Sequence, residues 1–165
     1  MYSTPKKYLS YIFYIVVLIV ILFLFLSYFL PLLSYQEARR AVIIQESFLN
    51  QSLLPTYNGI PYFTKPPLHI WISLPFYGLG ILFKNELFGM RLLSILSYIF
   101  IAYVIYLIHK KEREKTLLSL LILFSSFRFL SFIYRLDIEP LFILFNLTSF
   151  YYLLKYIENP STLRA

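Results

Sequence analysis

Three short stretches carry the side chains that could do chemistry. The first is YQEARRA, Tyr35 to Ala41, with Glu37, Arg39 and Arg40 close together. The second is FTKPPL, where Lys65 precedes Pro66 and Pro67. A residue before proline is biased to extended backbone, so both Lys65 and Pro66 are restricted. An ammonium on so stiff a backbone is presented at a fixed place and suits a phosphate as a point charge. The third is RLDIEP, with Arg135, Asp137 and Glu139. Each stretch also has a plainer reading. Arg39 and Arg40 could snorkel to headgroups, and Lys65 could touch lipid phosphate from a proline-rich turn. Asp137 and Glu139 could simply cap helix ends. Against the anchor reading stands Glu37, a carboxylate beside anionic headgroups. Acidic groups at membrane depth are costly and point to function.

The surrounding chain explains why a membrane enters the argument. The 165 residues are 59% hydrophobic and 21% aromatic but only 14% charged, too little charge for the surface of a soluble domain. The fold class expected is all-α, a multi-pass bundle of about four spans. They are placed at about 8–33, 87–108, 117–134 and 140–156, with a loop over 34–86. The first apolar run is too long for a signal peptide, and no small-residue cleavage site follows it. Pro31 lies near its end, where a kink costs least. The absence of cysteine excludes disulfides and thiolate chemistry.

The net charge of +7 does not indicate nucleic acid, because the basic residues cluster beside apolar runs instead of forming a stripe. Lys6 and Lys7, the HKKEREK segment from His109 to Lys115, and Lys155 and Arg164 all fit cytoplasmic positions under the positive-inside rule. Both termini are then cytoplasmic in a cell (inner or plasma) membrane, and the loop over 34–86 and the turn around Asp137 share the outer side.

That loop has structure of its own. Ala41, Ile44, Phe48 and Leu49 recur at helical spacing with Arg40, Gln45 and Glu46 between them, which predicts an amphipathic interfacial helix. Asn58-Gly59 supplies turn chemistry. HIWISLPFYGLGILF, from His69 to Phe83, predicts a second interfacial or re-entrant helix. Arg91 is expected to reach the outer interface or Glu86, and Arg128 to face protein or a polar cavity. His69 is expected to be structural. Carboxylates, guanidiniums and a fixed ammonium gathered at one membrane boundary suit a reaction on a lipid-linked phosphate. Cations would hold the leaving phosphate and a carboxylate would activate the acceptor.

The order EAR, NGIPYFTKPPLHIW, FGMRLLSIL, RLDIEPLF resembles the N-terminal part of GT-C class membrane glycosyltransferases. The nearest likeness is to the protein O-mannosyltransferases and the lipid A aminoarabinose transferases, over about residues 8–157. The resemblance implies a glycosyltransferase that takes a sugar from a polyprenyl-phosphate donor, inverts its anomeric centre and passes it to a glycolipid or protein acceptor. It implies Lys65 as the contact to the carrier phosphate, with Arg39 and Arg40 beside it, and Asp137 as an acid of the catalytic site. The family's acidic pair falls on Gln36 and Glu37. An amide cannot take a proton, so either Glu37 acts instead, or the acceptor is already anionic, or activity is impaired. Pro66, Pro67, Arg135 and Glu139 are supporting residues in this view. Thr64 stands where some aminoarabinose transferases carry a Glu associated with metal. No cofactor is therefore firmly implied, and a divalent metal lacks that ligand.

Family members have more spans and a soluble outer domain. The chain is thus expected to be an N-terminal piece, with membrane lipids and the remaining part of such an enzyme as partners. The competing expectation is a non-enzymatic membrane protein, an assembly partner or remnant that shares the fold without turnover. A transporter ranks behind both, because no internal repeat is visible.

Overall fold

The computed structural model describes residues 18, 21–110 and 112–158, without the side chains of Phe127 and Arg128. Lys6, Lys7, Lys111, Arg164 and the start of the first apolar run lie outside the described residues, as does the expected setting of the Arg128 side chain. The architecture is helical, with one two-stranded hairpin.

Helix α1 is described over residues 21–29 and ends before Leu30 and Pro31. The residue before a proline is pushed out of helical geometry, so the chain opens here and leaves free carbonyls. Helix α2 follows at Tyr35–Leu49, capped by the Ser34 hydroxyl, which accepts from the Glu37 N–H at 3.2 Å. Strands β1 (Thr56–Tyr57) and β2 (Ile60–Pro61) form the hairpin. Asn58 and Gly59 turn it at φ 52° and 76°, the paired positive φ that an Asn-Gly hairpin supplies. Glu46 of α2 clasps the turn, accepting from Thr56 Oγ1, Asn58 N–H and Gly59 N–H at 2.5, 2.7 and 3.2 Å. These bonds, the Thr56 hydroxyl first, hold the Glu46 carboxyl below its usual range.

Helix α3 spans Leu68–Leu82 with Pro75 inside it. Its 15 residues cover about 22 Å, short of a hydrocarbon core of about 30 Å. Helix α4, Glu86–Ile108, is the central element, flanked by α3 and by α7 (Glu139–Glu158). The α3–α4 contact is made by glycines: a Cβ on Gly89 would stand 2.5 Å from the Gly80 Cα, a distance only hydrogen-sized side chains permit. Among the described residues, α4 and α7 are the two helices long and apolar enough to cross a membrane. Phe142, Phe145, Phe150, Leu153 and Ile157 of α7 are all exposed, which for so apolar a face means lipid and not water. The chain is a membrane protein.

The third apolar stretch differs from the single span expected over 117–134. Helix α5 runs Arg113–Phe124 and α6 only Phe127–Ser131. Two serines make the break. Ser125 Oγ donates to the Ile122 carbonyl at 2.6 Å, while Ser126 caps α6 by accepting from the Phe129 N–H. Side chains that bond nearby backbone offer it an alternative to the helical ladder.

Two apolar clusters fill the interior. Ile43, Ile44, Ile70, Tyr77, Met90 and Leu136 join α2, α3, α4 and the turn before α7. Ile95, Tyr98, Ile101, Ile105, Phe129 and Ile133 join α4 to α6 and the turn after it. Of the expected apolar stripe of α2, Ile44 is buried, Ala41 and Phe48 are half-buried and Leu49 is exposed, while Ile43, outside that stripe, is buried as well.

Candidate active site

The turn from Phe129 to Glu139 is held by side chains that bond its backbone. Tyr98 Oη donates to the Phe129 carbonyl at 2.6 Å, and Ser94 Oγ to that of Arg135 at 2.8 Å. The peptide group of Leu136 is gripped at both ends: its N–H donates to Glu37 Oε1 at 2.9 Å, and its carbonyl accepts from Arg40 Nη1 at 3.3 Å. The buried His69 ring lies close to the Asp137 backbone, and burial holds it well below its usual proton affinity. Residues from α2 and α4 thus fix the turn that presents the next side chain, Asp137.

Glu37 and Arg91 are the buried centre of this arrangement, 1% and 0% exposed, with Arg91 Nε 2.8 Å from Glu37 Oε1. Glu37 Oε2 accepts from the Leu33 N–H at 2.8 Å. Arg91 also donates to the carbonyls of Ser27, Leu30 and Pro31 at 2.9, 2.6 and 2.8 Å. These are the carbonyls that the end of α1 leaves open, and the guanidinium closes them with charge-assisted bonds. Arg91 therefore does not reach an interface or Glu86, as the sequence suggested; Glu37 and the end of α1 are nearer and satisfy it. The expectation that Glu37 stands in for a catalytic base finds no support here, because both its oxygens are occupied and the group is enclosed. Its role had a visible signal: Ser34-x-x-Glu37 has the capping-box pattern, and the acid reaches back across the helix start to the Leu33 N–H, one residue before the N-cap.

Asp137 is differently placed. Its Oδ1 lies 2.7 Å from Arg40 Nη1, and Arg40 Nη2 is 3.9 Å from Glu139 Oε2. Burial, reinforced by a hydrogen bond with Glu139, pushes the Asp137 carboxyl up to about 7 against the pull of Arg40. A carboxyl poised there can exchange a proton near neutral pH.

Arg39 is set between the rings of Tyr35 and Tyr62, 5.7 and 5.6 Å from their centroids, a cation–π arrangement that fixes a guanidinium without neutralising it. Its Nη2 also donates to Gln36 Oε1, so the expected acid position is an exposed amide bonded to Arg39. Lys65 is exposed, with Pro66 beside it and Pro67 at the N-cap of α3. It borders two openings. One is a pocket of about 20 Å³ lined also by Arg39, Arg40, Ile43, Tyr62, Pro66, His69, Ile70 and Ile138. The other is an apolar groove of about 390 Å³ running past Leu53, Leu54, Phe63, Pro67 and Trp71. Trp71 Nε1 anchors the groove wall by donating to the Leu53 carbonyl at 2.8 Å. A second crevice of similar size, at Leu107, Lys110 and Lys155, lies at the opposite ends of α4 and α7, away from these charges.

The fold brings Arg39, Arg40, Lys65, Asp137 and Glu139 together and keeps Glu37 behind them. Arg135 is half-buried with its Nε unbonded. Thr64 is an exposed part of the groove rim. Among the described residues no three His, Asp or Glu side chains gather as a metal site. The sequence singled out His69 only as structural, yet it lines the cationic pocket.

Comparison with known proteins adds one match. The family model described as dolichyl-phosphate-mannose-protein mannosyltransferase matches residues 64–164, taking in Lys65, His69, Arg91, Asp137 and Glu139. No curated protein and no solved structure matches the chain. The matched region covers most of the chain and carries the whole Asp137 turn, with α2 packed onto it from outside the match. The chain belongs to the dolichyl-phosphate-mannose-protein mannosyltransferase family, membrane glycosyltransferases of the GT-C type.

Proposed function

We propose that the chain serves transfer of a sugar, hexose or pentose, from a polyprenyl-phosphate carrier to an acceptor at the outer face of the cell membrane. In this reading both termini are cytoplasmic and the loop over 34–86 faces out with the Asp137 turn. The observation that carries it is the convergence of Arg39, Arg40 and Lys65 around one small opening, with Asp137 bonded to Arg40 at 2.7 Å. Lys65 and Arg39 hold the carrier phosphate, on which negative charge grows as the sugar leaves. Preplaced cations stabilise that growing charge more than the ground state, which lowers the barrier. Prenyl chain runs along the apolar groove beside Lys65.

Asp137, and not Glu37, takes the acceptor proton. Its elevated affinity for protons matches a base working near neutral pH. The acceptor is a hydroxyl of a glycolipid of the lipid A kind or of a protein side chain. An anionic acceptor, needing no strong base, would fit the amide at Gln36.

The test is reconstitution of the protein in liposomes with a radiolabelled sugar on polyprenyl phosphate, offering a glycolipid and a Ser/Thr peptide in separate reactions. Label in either acceptor, lost on Asp137→Asn, is the expected result. Release of no sugar from the carrier under any of these conditions overturns the proposal and favours a non-enzymatic assembly role.

A further inference from the structure

The far ends of α4 and α7 hold a crevice of about 390 Å³ that the candidate active site does not use. By the helical rise, Lys155 stands about 24 Å along α7 from Glu139, on the scale of a hydrocarbon core of about 30 Å. The crevice therefore lies at the opposite membrane boundary, at the level of lipid headgroups. Leu107 of α4 and Tyr151 and Leu154 of α7 line it, and its charged groups are Lys110, Lys155 and Glu158.

Lys110 follows α4 in the left-handed conformation, φ 52°, with its N–H donating to the Leu107 carbonyl at 2.9 Å. That turn folds the chain back, and Lys110 Nζ reaches Glu158 Oε1 of α7 at 2.9 Å. Glu158 stands three residues after Lys155, a spacing at which two side chains on a helix can pair, yet its ion pair is with Lys110. Lys115 is likewise matched, by Glu112 at 2.8 Å. Among the described residues, no carboxylate lies within ion-pair distance of Lys155. The crevice thus sets two ammoniums against one carboxylate, a single positive charge in excess. The Lys110–Glu158 pair is 71% and 59% exposed, and so exposed a pair is weak enough to yield to a competing anion.

A lysine in the last turn of a helix also complements the helix dipole and can snorkel to headgroups. Neither role calls for an opening with apolar walls between two helices. A basic opening of that kind at a membrane face selects an anionic headgroup.

We infer that the crevice between the far ends of α4 and α7 binds one anionic phospholipid, its phosphate held by Lys155 and Lys110 and the start of its acyl chains laid on Leu107 and Leu154. The lipid carries one net negative charge, as phosphatidylglycerol does, which balances the excess. A zwitterionic lipid brings a cation of its own to the lysines. Free phosphate has nothing to cover the apolar walls.

The full chain is reconstituted in nanodiscs holding phosphatidylglycerol and phosphatidylcholine in equal amounts, and native mass spectrometry counts the lipid each chain keeps on release. Lys110, Lys115, Lys155 and Glu158 are all exposed, so substitutions there leave the fold intact. None of them belongs to the candidate active site, so the measurement is independent of sugar transfer.

The expected result is one retained phosphatidylglycerol, preferred over phosphatidylcholine. Lys155→Gln should lower that preference about fivefold, the effect of one lysine near a charged lipid surface, and Lys155→Arg should keep most of it. Glu158→Gln should tighten retention by freeing Lys110. Lys115→Gln, which removes the same charge outside the crevice, should change little, and added inorganic phosphate should not displace the lipid. Equal retention of the two lipids overturns the inference. So does an equal loss in Lys115→Gln, which would mean general attraction to a basic face, or weaker retention by Glu158→Gln. Displacement by inorganic phosphate overturns it in favour of a free anion. A preference that survives Lys110→Gln combined with Lys155→Gln overturns it as well, leaving the crevice to another occupant such as a polypeptide segment.

Discussion

Glu37 Oε1 accepts the N–H of Leu136 at 2.9 Å across 99 positions of sequence. The same oxygen faces Arg91, whose other N–H groups close the end of α1. One enclosed carboxylate therefore joins the first helix, α2, α4 and the turn that presents Asp137. Removing one member of a buried ion pair strands the other charge, at a cost of about 3–5 kcal/mol. Glu37→Gln and Arg91→Met should each lower the unfolding temperature in detergent markedly. Glu37→Gln combined with Arg91→Met should recover part of the loss, because no lone charge remains. Unchanged thermal stability of Glu37→Gln together with lost turnover would instead make Glu37 a chemical participant.

Asp137 should set the pH dependence. A base works only when deprotonated, so turnover should rise with pH through about 7 and level off above it. Asp137→Asn should lower turnover at least about 10²-fold and abolish that rise. The same shift has an opposite effect on stability. The folded state holds this proton more tightly than the unfolded state, so the stabilisation is full below the ordinary carboxyl range and is lost as pH rises through about 7. Unfolding temperatures measured from pH 4 to 8 should show less decline in Asp137→Asn than in the wild type.

Lys65 should matter for chemistry and little for folding, since it is exposed at the edge of two openings. Lys65→Ala should cost about 10²–10³ in turnover, by analogy with loss of one oxyanion donor. Lys65→Arg should rescue only in part, because a planar fork does not replace a compact charge. Pro66→Ala should give a smaller loss, through misplacement. Near-normal turnover of Lys65→Ala in sugar-transfer assays would return the lysine to the role of a lipid anchor.

Topology can be read directly because the chain has no cysteine of its own. Single cysteines at Lys65 and at Lys115 should differ in intact cells: an impermeant thiol reagent should label the first and spare the second. The reverse pattern would invert the orientation and exclude an outward-facing site.

Apolar run length and the KPPL and RLDIEP stretches were enough to place this protein in a membrane and in its family, because these features depend on local composition. The Asn58-Gly59 turn and the helix after Pro67 were legible for the same reason: φ preference is a property of one or two residues. The Ser125–Ser126 break was not, since a hydroxyl's choice between solvent, side chain and backbone depends on neighbours. Nor were the roles of the charges. Glu37 and Arg40 stand one helical turn apart in similar surroundings of sequence. Only the packing of α2 against α3, α4 and the Asp137 turn sends Glu37 inward to Arg91 and Arg40 outward to Asp137. Partners 54 and 99 positions away decide that difference, and a chain specifies such pairings only through the whole set of contacts that bring its helices together.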